Sequence, residues 1–348
     1  MVESCVYKHH LGIFRPEVEI TKMLAVEFDG ELKVSEVPLA PIPSGEVRIE
    51  MLMSGICNTD LEICRGYMNY RGILGHEFVG IVSECGADIP RAEAERWLGQ
   101  RVVGEINCGC GKCRLCLGGD TRHCQQRTTL GIDRRPGTFA QCFNLPVANL
   151  YEVPDNISNS QAIFAEPLAA AWNILEQVHA QPNSKVLILG DGKLGQLTAQ
   201  VLHLTACDLT VVGKHSEKLQ LLQKQNIKTA LLPEWREDLG ELSAYDLAVE
   251  ATGSAEGLDL VLRSVRPRGT VVVKSTVADR LSLDFSAIVV REINIVGSRC
   301  GRFAPALRSL EMGLIDTAPL LEGVYPLSDA VEAFAQAQQG KLKVALVP

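Results

Sequence analysis

From residue 184 onward, apolar positions fall into short runs separated alternately by turn residues and by stretches with helical spacing. SKVLILGDGKLGQLTAQVLHLTACDLTVVGKHSEKLQLLQKQ, residues 184–225, reads as strand, glycine turn, helix, strand, charged turn and helix. YDLAVEATG, a helical SAEGLDLVLRSV, GTVVVKST and INIVGS continue the alternation. Strands and helices in that order predict an α/β fold with a parallel, doubly wound sheet. In the first half, apolar strand-like stretches instead run into GICNTDLEICRG (55–66) and GILGHEFVGIV (72–82), where glycines crowd around polar side chains. There are no internal repeats and no low-complexity tract.

The glycine turn carries chemistry. Gly190, Gly192 and Gly195, with Lys193 and Leu194 between the last two, form G-x-G-x-x-G after an apolar run and before a helical one. In that context the glycines let the backbone approach a pyrophosphate, and the helix N-terminus favours its charge. The end of the next strand bears on the nucleotide, because an NAD site usually has Asp or Glu there to bind the ribose hydroxyls. VVGKHSEK puts Gly213 at that position, followed by Lys214 and His215. A glycine beside two cations offers room and charge for a 2′-phosphate, so NADP is expected ahead of NAD.

Length and charge narrow the rest. The 348 residues suggest two domains, and a net charge of −8 argues against nucleic acid or an anionic membrane as partner. No apolar run reaches the roughly 20 residues that span a bilayer, and the N-terminus lacks the order of a signal peptide. A cytoplasmic protein is expected. In that reducing compartment, twelve cysteines point to metal ligands or buried thiols before disulfides.

CGCGKCRLCLGGDTRHC, residues 108–124, places Cys110, Cys113, Cys116 and Cys124 in the pattern C-x2-C-x2-C-x7-C. Four thiolates so spaced can wrap one tetrahedral cation, and a closed four-sulfur site suits a structural zinc. A disulfide set is disfavoured by compartment, an iron–sulfur cluster by spacing, and a nucleic-acid zinc ribbon by the acidic chain. Cys108 is left without a role, and His123 reads as a surface residue.

A lone Cys57 or His76 would more often be a packed core residue. GICNTD, GHEFVG, the four-cysteine segment and the downstream G-x-G-x-x-G, in this order, resemble the zinc-dependent medium-chain dehydrogenase/reductase family from about Met23 to Pro348. The resemblance implies a GroES-like β-rich catalytic domain over 1–158 and 303–348, holding both zinc sites, and a Rossmann NAD(P)-binding domain over 159–302. It implies two zincs per chain, with Cys57 and His76 as ligands of the catalytic one. FAEPLAAAWN supplies Glu166 as third ligand, as in the sorbitol, threonine and glucose dehydrogenase branches, with Glu77 as alternate ligand or neighbour. Glu166 followed by Pro is also a good helix start.

By the same resemblance, Asp60 fixes the ligating imidazole, Thr59 passes on the substrate proton, and Glu62 stands where many relatives have a relay histidine. Thr252, Gly253, Ser275, Ser298 and Arg299 match segments lining the nicotinamide end. The implied activity is reversible alcohol/carbonyl interconversion on a small alcohol, aldehyde, polyol or ketose, by a homodimer or homotetramer, with a lean toward polyols. A zinc-independent enone or quinone reductase and a zinc- and nucleotide-binding protein without turnover are the competing readings, and zinc content with an alcohol panel separates them. Tyr67, Met68 and Tyr70 either approach the pocket or pack. Residues 1–22 precede the usual family start.

Overall fold

The computed structural model describes residues 22–237, 243–275 and 283–348. Apart from Lys22, the N-terminal extension lies outside the described residues. The chain divides into two compact units, the first built from residues up to Ile163 with Gly323–Gln339 and Val344–Pro348, the second from Phe164–Glu322 and Gly340–Lys343.

The first unit is mostly β-structure. Its main sheet has seven strands, in the order Leu150–Glu152, Arg101–Gly104, Glu77–Cys85, Glu46–Gly55, Lys343–Val347 and Leu321–Pro326, with Cys142–Pro146 also paired to Glu46–Gly55. Val47, Ile49 and Met51 are buried while Arg48 and Glu50 are half-buried, the period-two pattern of a strand with one face on a core. Pairing of Glu46–Gly55 with Glu77–Cys85 is antiparallel and sets Gly55 opposite Glu77. That register brings the chain after Gly55 alongside His76 and Glu77. A small sheet of Asn107–Cys108, Thr128–Leu130 and Arg134–Arg135 flanks the cysteine-rich segment.

The second unit holds six parallel strands, in the order Lys228–Leu231, Asp208–Gly213, Lys185–Leu189, Tyr245–Glu250, Val265–Val273 and Asn294–Gly297. Counted along the chain, the third, second and first strands precede the fourth, fifth and sixth. Two apolar clusters, one around Ile188, Val211 and Val249 and one around Leu187, Val212 and Ala248, fill its faces, so the strands read as continuous apolar runs. In such sheets ligands bind outside the carboxyl ends of the strands, where the order reverses. Here that point lies between Lys185–Leu189 and Tyr245–Glu250.

The chain leaves the second unit at Gly323, later than the expected return at residue 303. Helix Phe303–Glu311 buries its apolar face on helix Ala165–Gln177, and Trp172 Nε1 donates to Ser309 Oγ at 3.1 Å. No helix among the described residues is long and apolar enough to cross a membrane.

Candidate metal centres and dinucleotide turn

The four cysteines singled out by spacing come together. Sγ separations are 4.0 Å for Cys110–Cys116, 3.5 Å for Cys113–Cys116 and 3.8 Å for Cys113–Cys124. A disulfide needs about 2.05 Å, whereas ligands about 2.3 Å from a tetrahedral zinc stand about 3.8 Å apart. The donor set therefore fits a closed four-sulfur zinc site. Backbone N–H groups of Lys112 and Cys113 pull the Cys110 thiol down to about 6, while desolvation pushes Cys116 up to about 11. Cys108 stands apart, buried, with its thiol raised to about 11 by that burial.

A second group forms on the other side of the sequence. Ligand atoms of Cys57, His76 and Glu77 all lie within 4.8 Å of one another, with His76 and Glu77 buried. Cys57 caps the short helix Asn58–Cys64, and the fully buried Asp60 in its first turn ties the group together. Asp60 Oδ2 accepts from the Cys57 N–H at 2.8 Å, Oδ1 accepts from the Gly75 N–H at 3.2 Å, and His76 Nδ1 lies 3.4 Å from Oδ1. Gly75 has φ +96°, and a Cβ there would fall 2.6 Å from the Phe139 ring, so only glycine fits. Burial opposes a charged His76 imidazole, but the neighbouring Asp60 and Cys57 outweigh it and raise its pKa well above the usual value. A thiolate, an imidazole and a carboxylate converging in a buried site match a borderline-soft cation such as zinc.

Thr59 follows Cys57 on the same turn, its Oγ1 at 3.7 Å from the Cys57 sulfur. Glu62, largely buried, pairs with Arg65 at 2.8 Å. Tyr70 belongs to packing: its hydroxyl donates to the carbonyls of Ile73 and Arg135, both at 2.9 Å. Met68 is exposed. Glu166 sits in the first turn of helix Ala165–Gln177, on the second unit, where its charge favours the ammonium of Lys274.

In the second unit the G-x-G-x-x-G turn joins strand Lys185–Leu189 to helix Lys193–His203. A Cβ on Gly195 would fall 2.1 Å from the Gly190 carbonyl, whereas one on Gly192 would meet nothing within 4 Å. Helix and strand thus pack tightly through Gly195, and the backbone at Gly192 is open to an incoming phosphate, as a dinucleotide requires. Lys193 and Leu194 open the helix, half-buried.

Across the switch point, Gly253 N–H donates to Glu250 at 3.0 Å and to Ser275 Oγ at 2.9 Å, and Thr252 Oγ1 donates to Glu250 at 2.7 Å. Ser298 Oγ accepts from Asn173 at 3.2 Å and from Lys274 at 3.3 Å, and the Arg299 carbonyl accepts from Lys274 at 3.0 Å. Two residues escaped the sequence reading. Lys274 is buried and lowered to about 8 by desolvation, and its one signal was a cation ending the apolar run VVVK. Asp191 is buried in the turn, at a position the glycine pattern leaves unspecified. A cavity of about 580 Å³ lies at the opposite, N-terminal ends of the strands, lined by Asp246, Arg266 and Asn294 among others, and none of the site residues above borders it.

Residues 43–155 match the family model of the alcohol dehydrogenase GroES-like domain, and residues 194–312 match that of the zinc-binding dehydrogenases. The L-threonine 3-dehydrogenase of Streptomyces coelicolor is 30% identical over 329 residues, 89% of this chain and 94% of the relative. The chain belongs to the zinc-dependent medium-chain dehydrogenase/reductase family. The 2-dehydro-3-deoxy-L-galactonate 5-dehydrogenase of Pseudoalteromonas atlantica, 26% identical, is matched over 90% of this chain and 94% of its own. An alcohol dehydrogenase of Escherichia coli CFT073, solved in complex with NADH, superposes with a TM-score of 0.84 at 23% identity, covering 94% of this chain and 100% of that one. This family member therefore combines a GroES-like β-rich domain with a Rossmann domain. It is an alcohol dehydrogenase-like oxidoreductase using zinc and a nicotinamide cofactor on a small molecule.

Proposed function

We propose that Cys57, His76 and Glu77 hold the zinc of a dehydrogenase that interconverts a polar secondary alcohol, of the polyol or sugar-derived kind, and its ketone. The convergence of their three ligand atoms within 4.8 Å carries this reading. The relatives similar to this chain are named for dehydrogenation at position 3 of L-threonine and position 5 of a 2-dehydro-3-deoxy-L-galactonate, both secondary carbinols of polar molecules. Of the two glutamates expected to compete for the metal, Glu77 is the one grouped with Cys57 and His76, and Glu166 is kept as a second carboxylate belonging to the nucleotide-binding unit. Cys110, Cys113, Cys116 and Cys124 hold a second, structural zinc, giving two per chain.

Zinc bound at the first group supplies a Lewis acid that acidifies an alcohol oxygen or polarises a carbonyl. The chain's own residues do the rest. Asp60, its Oδ1 at 3.4 Å from His76 Nδ1, would orient the imidazole of the bound site. Thr59, beside the Cys57 sulfur, takes the substrate hydroxyl proton and passes it toward Glu62, held by Arg65. Gly190, Gly192 and Gly195 with the helix start at Lys193 and Leu194 seat the pyrophosphate. Thr252, Gly253, Ser275, Ser298 and Arg299 line the nicotinamide end.

A cysteine-rich chain whose thiols are spaced as metal ligands suits a reducing compartment, and we place the protein in the cytoplasm. A homo-oligomer is supported by the edge strand Asn294–Gly297 and the neighbouring exposed Phe285, Val289 and Val290. Metal analysis with an alcohol and ketone panel tests the site. The wild type is expected to carry two zincs per chain and Cys57→Ser one, with turnover reduced by about a thousandfold or more. Undiminished turnover in Cys57→Ser would remove the assignment.

A further inference from the structure

Gly213, at the end of the second strand of the parallel sheet, offers no carboxylate where an NAD site usually has one. The space beside it is nevertheless filled. A Cβ on Gly213 would fall 2.3 Å from Asp191 Oδ2, 2.5 Å from Asp191 Cβ and 2.6 Å from its Cγ. Asp191 is the middle residue of Gly190–Asp191–Gly192, on the neighbouring strand's turn. Parallel register pairs Leu189 with Val212, and the Gly190 N–H donates to the Val212 carbonyl at 2.8 Å, so the residues that follow face each other. The carboxylate that other sheets carry on the second strand is here delivered from the first.

That carboxylate is held in place. Its Oδ2 accepts from the His215 backbone N–H at 2.7 Å, and His215 Nδ1 lies 3.0 Å from Oδ1 and 3.1 Å from Oδ2. Gln196 Nε2 ties the turn further by donating to the Asp191 carbonyl at 3.3 Å and to Lys218 O at 2.9 Å. Oδ1 receives only the shared contact with Nδ1 and keeps capacity for a hydroxyl donor.

We infer that Asp191 determines nucleotide specificity, accepting the adenine-ribose hydroxyls and excluding a 2′-phosphate, so that the enzyme prefers NAD. The inference rests on the reading of the glycine turn as a dinucleotide site, and it reverses the NADP preference expected from Gly213, Lys214 and His215. The cations that suggested a phosphate are differently placed: Lys214 is exposed and His215 turns its Nδ1 to Asp191. A solvated ammonium favours a nearby anion by less than about tenfold, whereas a buried carboxylate at contact range disfavours it by about a hundredfold. The carboxylate wins.

Purified full-length chain is titrated separately with NADH and NADPH, following nicotinamide fluorescence, for the wild type, Asp191→Asn and Asp191→Ser. The wild type is expected to bind NADH about a hundredfold more tightly than NADPH, and both variants to bring that ratio within about tenfold of unity. Asp191→Asn keeps an acceptor for the His215 N–H and guards against a simple loss of fold. Preference of the wild type for NADPH would overturn the inference while leaving the dinucleotide site intact. Equal weakening of both nucleotides in the variants would also overturn it, as the mark of a merely structural residue. Failure of the wild type to bind either nucleotide would remove the dinucleotide reading and the inference together.

Discussion

Asp60 concentrates the logic of the metal group in one side chain. It is fully buried and reaches the Cys57 N–H, the Gly75 N–H and His76 Nδ1, three points that strand pairing alone would leave loosely related. Asp60→Asn keeps the shape but removes the charge that raises His76. Zinc affinity at this group is expected to fall about tenfold to a hundredfold, as partners of ligating histidines typically show. Competition with a chromophoric chelator measures it, and unchanged affinity would deny Asp60 the role. Asp60→Ala additionally strands two buried N–H donors, costing about 1–3 kcal/mol each in thermal unfolding. At this scale the sequence was informative where residue type restricts chemistry, as at Cys57 and His76. It was silent at Asp191, because G-x-G-x-x-G constrains backbone shape at the glycines and leaves the intervening side chain free.

Among elements, the cysteine-rich lobe depends most on something other than packing. Its helix Arg114–Leu117 is one turn long, and Leu115 and Leu117 stay 37% and 77% exposed. So little apolar surface is buried there that a cation on the four sulfurs, as proposed, would be what closes the lobe. Cys113→Ala is expected to lose one of two zincs and lower Tm by about 5–10 °C, a loss of a few kcal/mol at this size. Calorimetry with metal analysis reads both, and a variant with full zinc and unchanged Tm would contradict the staple. Spacing made this lobe legible, since its ligands lie within one short segment. The helix Phe303–Glu311 was less so: its amphipathic pattern suits any apolar neighbour, and only Ala165–Gln177 with the Trp172–Ser309 bond assigns it to the second unit.

For the whole molecule, one group of exposed apolar side chains lies near an edge of the parallel sheet. Phe285, Val289 and Val290 are 72%, 61% and 82% exposed, and Ile295 on the edge strand is 42% exposed. A second copy seated there would cover apolar surface and pair the free strand edge. The wild type is expected to be an oligomer in light scattering and Val290→Glu with Ile295→Lys a monomer, with zinc content unchanged. A monomeric wild type would contradict the oligomer reading.

By itself the sequence determined the sheet and helix alternation, the chemical types at the two metal groups and the glycine turn. These are local quantities: hydrophobic period, ligand spacing and backbone permissiveness are each written within about twenty residues. The tertiary structure decided what depends on distant approach. Register placed Gly55 opposite Glu77 and so brought Glu77 into one group with Cys57 and His76. Adjacency of two parallel strands let Asp191 occupy the room that Gly213 leaves. Where a charge comes to rest is set by which backbones meet, and no single stretch of the chain encodes that meeting.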